Sequence, residues 1–331
     1  MKAMRLSRFG GPEELRLEEM ASPVPGEGEV LLQVHAAGLN YAELLIRAGR
    51  IPGVPPPPFT PGYEAAGVIQ AVGRGVTQWR EGQRVVAMLP GQGALAEQAV
   101  APAALVTAIP DGLSFEQALA LLNQAPSALA LLRFGGRVQP GDAVFIPAAA
   151  GGVGSFMVQL AKRLGAERVL AGASTEEKRK LALRLGADVA VDYTKADWPE
   201  RVREATGGRG ADVVFERDGG EVFARGLKAL APRGRFVVFG VDSMSGTGVS
   251  GEQLGQMIFQ SQSLVGFSYP SLPQDVQAGV LREVFELTVS GKLEVVVGQT
   301  FGLHELPDAH RAMEARKTSG KVVIRTSAVS R

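Results

Sequence analysis

The chain of 331 residues carries 35 basic and 34 acidic side chains, and 45% of it is apolar. That balance excludes a bulk field that would draw in nucleic acid or an anionic membrane, and the absence of cysteine excludes disulfides, thiolate metal ligands and a cysteine nucleophile. The length predicts two domains; the start, Met1-Lys2-Ala3-Met4-Arg5-Leu6, lacks a signal peptide's apolar run and no stretch reaches membrane-spanning length, so a cytoplasmic protein is expected.

Residues 1 to about 122 are rich in Gly, Pro and short β-type runs. Val30–Val34, Ala65–Val72 and Arg84–Met88 read as strands, separated by turns such as Pro25-Gly26-Glu27-Gly28. Such a series predicts a compact β-barrel-like domain. Six prolines between Pro52 and Pro61 mark an extended surface loop. Ser114-Phe115-Glu116-Gln117 has the capping-box pattern, so a helix should start there.

From about 140 the rhythm becomes strand, helix, strand, helix. The apolar run Ala143–Ile146 leads into Pro147-Ala148-Ala149-Ala150-Gly151-Gly152-Val153-Gly154 and then an amphipathic segment, Ser155–Leu164, stopped by Gly165. A strand, a turn of small residues and a helix N-terminus form a place for a pyrophosphate: the backbone approaches closely and offers N–H groups with a partial positive charge. Ala150, Gly151, Gly152, Val153 and Gly154 are the candidate cradle. Further strands follow at Arg168–Ala171, Asp188–Val191, Ala211–Phe215, Arg235–Phe239 and Ser263–Phe267, with a helix opened by Ser174-Thr175-Glu176-Glu177. This alternation describes a doubly wound parallel sheet covered on both faces. The tail from about 270 should hold a helix around Val280–Ser290 and strands near Val295 and Val322, packed back onto the first domain. The expected division is 1–122 with 270–331, and 123–269.

A site for NAD places an Asp or Glu about twenty residues beyond the glycines, on the ribose 2′-hydroxyl. Here the second strand ends in Ala171-Gly172-Ala173-Ser174, with no carboxylate. Lys178 offers a cation to a 2′-phosphate, and Ser174 and Tyr193 offer hydroxyls; the alternatives are that Lys178 is a solvated helix lysine and Ser174 only a cap. The missing carboxylate favours NADPH.

Several blocks, in order, carry a family resemblance: Phe9-Gly10-Gly11-Pro12-Glu13, Ala36-Ala37-Gly38-Leu39-Asn40, Pro61-Gly62-Tyr63-Glu64-Ala65-Ala66-Gly67, Val138-Gln139-Pro140-Gly141-Asp142, the glycine run, Leu185-Gly186-Ala187-Asp188 and Gly320-Lys321-Val322-Val323. The chain resembles the zinc-free quinone oxidoreductase (zeta-crystallin-like) branch of the medium-chain dehydrogenase/reductase superfamily. The resemblance implies an α/β protein: a GroES-like β-barrel catalytic domain, a Rossmann NADPH-binding domain inserted in it, and a homodimer. It also implies NADPH-dependent reduction of quinones or activated enones. Asn40, Tyr41 and Glu43 fall on the motif facing nicotinamide and substrate, with Glu43 where the family has Asp and Leu45 where it often has Tyr. Ser127 replaces a Thr at the nicotinamide end. Gly172, Lys178 and Tyr193 match the adenosine-phosphate pocket; Phe239, Gly240 and Phe267 match segments lining the nicotinamide; Arg316 matches a basic residue near the cofactor. The family's Asp-x-Val-Gly reads Glu216-Arg217-Asp218-Gly219 here.

Zinc alcohol dehydrogenases of the same superfamily hold their metal with Cys, His and Cys, where this chain has Asn40, Tyr63 and Gln124. A carboxamide and a phenol are poor zinc ligands, the cysteine-rich lobe is absent, and His35, His304 and His310 are scattered, so no metal is expected. Asn40, Tyr41 and Tyr63 are the candidate donors to a substrate carbonyl. The acceptor is expected to be a quinone or an α,β-unsaturated carbonyl compound, with a 2-enoyl thioester as the alternative. A reading of a different class is a non-catalytic nucleotide-binding structural or RNA-binding protein, against which the near-zero net charge counts for RNA.

Overall fold

The structure, a computed structural model, describes residues 1–240 and 248–326. The chain divides into two units, 1–123 with 295–331 and 124–294.

The first unit opens with a hairpin of β1 (Lys2–Leu6) and β2 (Leu15–Glu19), followed by β3 (Glu29–Leu39) and the short helix α1 (Tyr41–Arg47). Then come β4 (Glu64–Val72), β5 (Arg84–Met88), β6 (Gln98–Pro102), β7 (Val106–Ala108) and α2 (Phe115–Leu122). Ser114 caps α2 by the expected reciprocal bonds with Gln117. Along β3 the buried residues Val30, Leu32 and Val34 alternate toward the core, the period-2 signature of a strand with one face inward. They pack with Leu6, Ile69, Val85 and Leu95.

The second unit starts with α3 (Gln124–Ala130), then alternates β8 (Ala143–Ile146), α4 (Gly152–Arg163), β9 (Arg168–Gly172), α5 (Glu176–Arg184), β10 (Val189–Val191), α6 (Trp198–Ala205), β11 (Ala211–Glu216), α7 (Gly220–Lys228), β12 (Leu230–Val238), α8 (Gly251–Phe259), β13 (Ser263–Gly266) and α9 (Gln274–Val289). Its sheet is entirely parallel in the order β10-β9-β8-β11-β12-β13, with the order reversing beside β8, the doubly wound arrangement. β8 is buried along its whole length, which explains its unbroken apolar run. Phe145 stacks on Trp198 in this core, at 4.6 Å between ring centroids.

The chain then returns as β14 (Val297–Gly302), α10 (Leu306–Glu314) and β15 (Lys321–Arg325). β15 pairs antiparallel with β3, which completes a sheet in the order β14-β15-β3-β4-β5-β7, with β6 also on β3. The tail strands therefore join the first unit. Residues 270–294 do not: the division falls after Glu294, and α9 belongs to the second unit. Arg133 holds α9 there through a bidentate pair with Glu283, both bonds 2.8 Å. Tyr269 donates to the Gln277 carbonyl at 3.2 Å and closes the start of the same helix.

Candidate functional site

Within the second unit, the candidate cofactor residues other than Ser127 follow the carboxyl ends of the parallel strands, where open α/β sheets bind ligands. After β8 the backbone turns through Ala148 (φ 47) and enters α4 at Gly151, an N-cap with no side chain to satisfy the first N–H groups of the helix. Those groups, beginning at Gly152, Val153 and Gly154, suit an anion. A Cβ on Gly154 would lie 2.3 Å from the Ala148 carbonyl oxygen, and one on Gly152 would fall 2.4 Å from the Gln124 carboxamide. Close packing against Ala148 and Gln124 thus accounts for glycine at both positions. The cradle is tied to the next strand by the Ala149 N–H, which donates to the Gly172 carbonyl at 3.0 Å.

Gly172 ends β9, and a Cβ there would meet the rings of Phe145 and Tyr193 at 2.8 and 3.3 Å, so its bareness lets Tyr193 lie beside the strand end. The cap of α5 is Thr175, whose hydroxyl accepts the Lys178 N–H at 3.3 Å. This corrects the alternative that Ser174 serves as the cap. Lys178 stands half-buried in the first turn of α5. Arg179, which sequence reasoning missed, donates to the Ala173 carbonyl at 3.3 Å and pairs with Asp192 at 3.4 Å, a second cation at the same strand ends. Farther along, Phe239 donates its N–H to the Glu216 carbonyl and Phe267 to that of Val238. The Phe267 ring lies 3.0 Å from where a Cβ on Gly135 would be, and Gly240 (φ 87) runs against Arg217. The unusual charges after β11 have a local use: Glu216 Oε1 accepts the N–H groups of Asp218 and Gly219 at 2.6 and 2.7 Å and folds the turn into α7. Ser127 is half-buried on α3.

In the first unit, Asn40 and Tyr63 come together. Asn40 is the N-cap of α1, and its backbone N–H donates to Glu43 Oε2 at 2.5 Å, the reciprocal half of a capping box. Glu43 therefore reaches back to Asn40, one methylene longer than the family's Asp. Tyr63 is delivered by Gly62, whose positive φ (96) and contact with Leu95 exclude a side chain. Tyr41 is exposed on the first turn of α1. Arg316 is exposed beyond α10, also in this unit, whereas the other candidate cofactor residues belong to the second.

The cluster is closed by residues that sequence reasoning left out. Asn40 Nδ2 donates to Glu64 Oε1 at 2.7 Å, and Asn40 Oδ1 accepts from Lys321 Nζ at 3.0 Å. Asn123 also donates to Glu64 Oε1, at 2.8 Å. Glu64 and Lys321 are 2.5 Å apart with fully buried side chains. The available signal was a charged residue heading an apolar strand, in Glu64-Ala65-Ala66 and Lys321-Val322-Val323.

Electrostatics follow from this burial. Desolvation pushes the Glu43 carboxyl up to about 8; the Asn40 N–H works against it and the Glu64 charge adds to it. Burial, then the Glu43 and Glu64 carboxyls, hold the Tyr63 phenol well above its ordinary range, with the Asn40 hydrogen bond acting the other way. Tyr63 is accordingly a neutral O–H donor. Among the described residues no group of three His, Asp or Glu side chains is arranged to hold a metal ion, and no helix is long and apolar enough to cross a membrane.

A nucleotide cradle on a parallel sheet, together with a GroES-like unit that carries a carboxamide–phenol cluster, defines an oxidoreductase of the medium-chain dehydrogenase/reductase type. Residues 26–111 match the alcohol dehydrogenase GroES-like domain and residues 152–286 the family described as zinc-binding dehydrogenase. The chain is 35% identical to a 2-haloacrylate reductase of a Burkholderia species, over 96% of this chain and 97% of that one. It is 34% identical to a quinone oxidoreductase of Pseudomonas aeruginosa, over 98% and 99%. The solved structure of Escherichia coli quinone oxidoreductase complexed with NADPH superposes with a TM-score of 0.90 at 32% identity, over 98% and 100%. The chain belongs to the medium-chain dehydrogenase/reductase superfamily, in its quinone oxidoreductase branch, and it binds a nicotinamide cofactor.

Proposed function

We propose that the chain is an NADPH-dependent reductase that transfers hydride to a quinone or an α,β-unsaturated carbonyl compound without zinc. The observation that carries this reading is the Asn40–Tyr63 cluster, in which a neutral phenol donor stands beside a carboxamide held by Glu64, at positions where zinc dehydrogenases place metal ligands. Such donors stabilise charge on an oxygen, which suits acceptors whose conjugation already spreads that charge. The relative named for reduction of 2-haloacrylate, a conjugated alkene, supports the same class.

Residues 150–154 would hold NADPH, which when bound would supply the hydride. The N–H groups at the start of α4 hold its pyrophosphate; Lys178, Ser174 and Tyr193 take the adenosine end, where β9 closes in Gly172 without a carboxylate. Phe239, Gly240, Phe267, Ser127 and Arg316 are assigned to the nicotinamide end. Tyr63 donates its O–H to the acceptor carbonyl as electrons move onto that oxygen, Asn40 supports the phenol, and Tyr41 is a further donor on α1. Water supplies the final proton. We also propose a homodimer through β13, an edge strand with Leu264 exposed, and through α8, on which Leu254, Ile258 and Phe259 are exposed, Phe259 to 89%.

NADPH consumption with quinone, enone and enoyl-thioester acceptors tests the reading. Turnover with quinones or enones, reduced by Tyr63→Phe without loss of folding, is expected. Preference for enoyl thioesters would move the acceptor class, and tight NADPH binding with no turnover on any acceptor would overturn the enzyme.

A further inference from the structure

We infer that Glu64 and Lys321 are positioning residues that fix the Asn40 carboxamide, and that Gly38 is the gap through which they meet. The inference rests on the role proposed for Asn40 beside Tyr63. β3 lies between β15 and β4, with Gly38 paired to Val323 on one side and Ala37 to Ala65 on the other. Glu64 and Lys321 head the two flanking strands and reach across β3 at Gly38. A Cβ there would fall 2.3 Å from Glu64 Oε2 and 2.7 Å from Lys321 Nζ. Any other residue at 38 would push the pair apart.

The three side chains close a ring: Lys321 to Glu64, Asn40 to Glu64, and Lys321 to Asn40. An ammonium only donates and an ionised carboxylate only accepts, so the ring admits one orientation of the carboxamide, oxygen toward Lys321 and nitrogen toward Glu64. Apolar residues would fill this buried space at lower desolvation cost. What they could not supply is one donor and one acceptor at fixed places on either side of Asn40. Asn123 occupies a second site on Glu64 Oε1 and holds that carboxylate in place. The Asn40 backbone is pinned separately by Glu43, so side chain and main chain are both located.

The test uses the full chain with the charge-neutral pair Glu64→Gln/Lys321→Met, with Asn40→Ala, and with all three together. The paired variant should keep NADPH affinity and lose kcat by roughly tenfold or more, while adding it to Asn40→Ala should cost nothing further. Equal losses in the presence and absence of Asn40 would overturn the inference, since the pair would then act elsewhere. An Asn40→Ala variant with undiminished kcat would overturn both the inference and the role of Asn40. If the paired variant does not fold, ¹⁵N-asparagine labelling of the unaltered protein decides. Asn40 side-chain protons strongly protected from solvent exchange are expected, and exchange as fast as that of an exposed carboxamide would overturn the ring.

Discussion

Arg47 Nη1 lies 3.1 Å from His310 Nδ1, inside the first unit, where α1 meets α10. The guanidinium can only donate, so His310 accepts at Nδ1 and carries its proton on Nε2. Arg47 also reaches the Gly10 carbonyl at 3.0 Å and Glu314 at 2.5 Å. Burial, with the Arg47 charge behind it, takes the imidazole down to about 3 from an ordinary 6.5. The unfolded chain thus binds a proton that the folded one refuses between those values. Stability conferred by neutral His310 is complete above pH 6.5 and is lost as pH falls toward 3, by up to ~5 kcal/mol. Denaturant titrations across that window should show His310→Gln losing less stability on acidification than the unaltered protein; parallel curves would contradict the buried neutral imidazole.

Glu43 works with the opposite sign. Its folded value, about 8, lies above the ordinary 4.5, so the folded state holds a proton that the unfolded one releases. The stabilisation is full below pH 4.5 and is lost as pH rises through 8, again by up to ~5 kcal/mol. Glu43→Gln should flatten the decline of stability over that range. An unchanged slope would place the titration on another group.

At the cradle, Gly152→Ala should weaken NADPH binding by pressing on the Gln124 carboxamide, since the added Cβ would lie 2.4 Å from it. Because the obstacle is a side chain, Gln124→Ala in the same protein should restore much of the affinity. Calorimetric titration with NADPH compares the single and double variants. Failure of the second change to rescue would show that the collision is borne by backbone.

Lys178→Ala should weaken NADPH binding by roughly 10- to 100-fold and leave NADH nearly unchanged, the loss of one charge-assisted contact. Equal losses for the two cofactors would remove Lys178 from the 2′-phosphate.

What was legible in the sequence was local. The β8 run, the small-residue turn and the amphipathic helix after it are contiguous, and each is dictated by near neighbours, so the cradle could be read directly. The capping box at Ser114 is of the same kind. The Glu64–Lys321 pair was not legible, because the residues are 257 apart and meet only through the register of three strands over Gly38. The domain boundary was missed for a related reason: α9 shows an apolar face, but nothing linear says which unit it covers, and the Arg133–Glu283 pair that attaches it spans 150 residues. Ser174 and Thr175 are adjacent hydroxyls equally able to cap, and only backbone geometry separates them.

Direct hydride transfer from NADPH to a conjugated acceptor carries the C4 hydrogen of the nicotinamide into the product. NADPH carrying deuterium at both C4 positions, incubated with the enzyme and an α,β-unsaturated ketone, reports that transfer. Deuterium is expected at the β-carbon of the saturated product, with turnover slowed relative to unlabelled NADPH when transfer limits the rate. Reduced product with no deuterium at that carbon would contradict direct transfer.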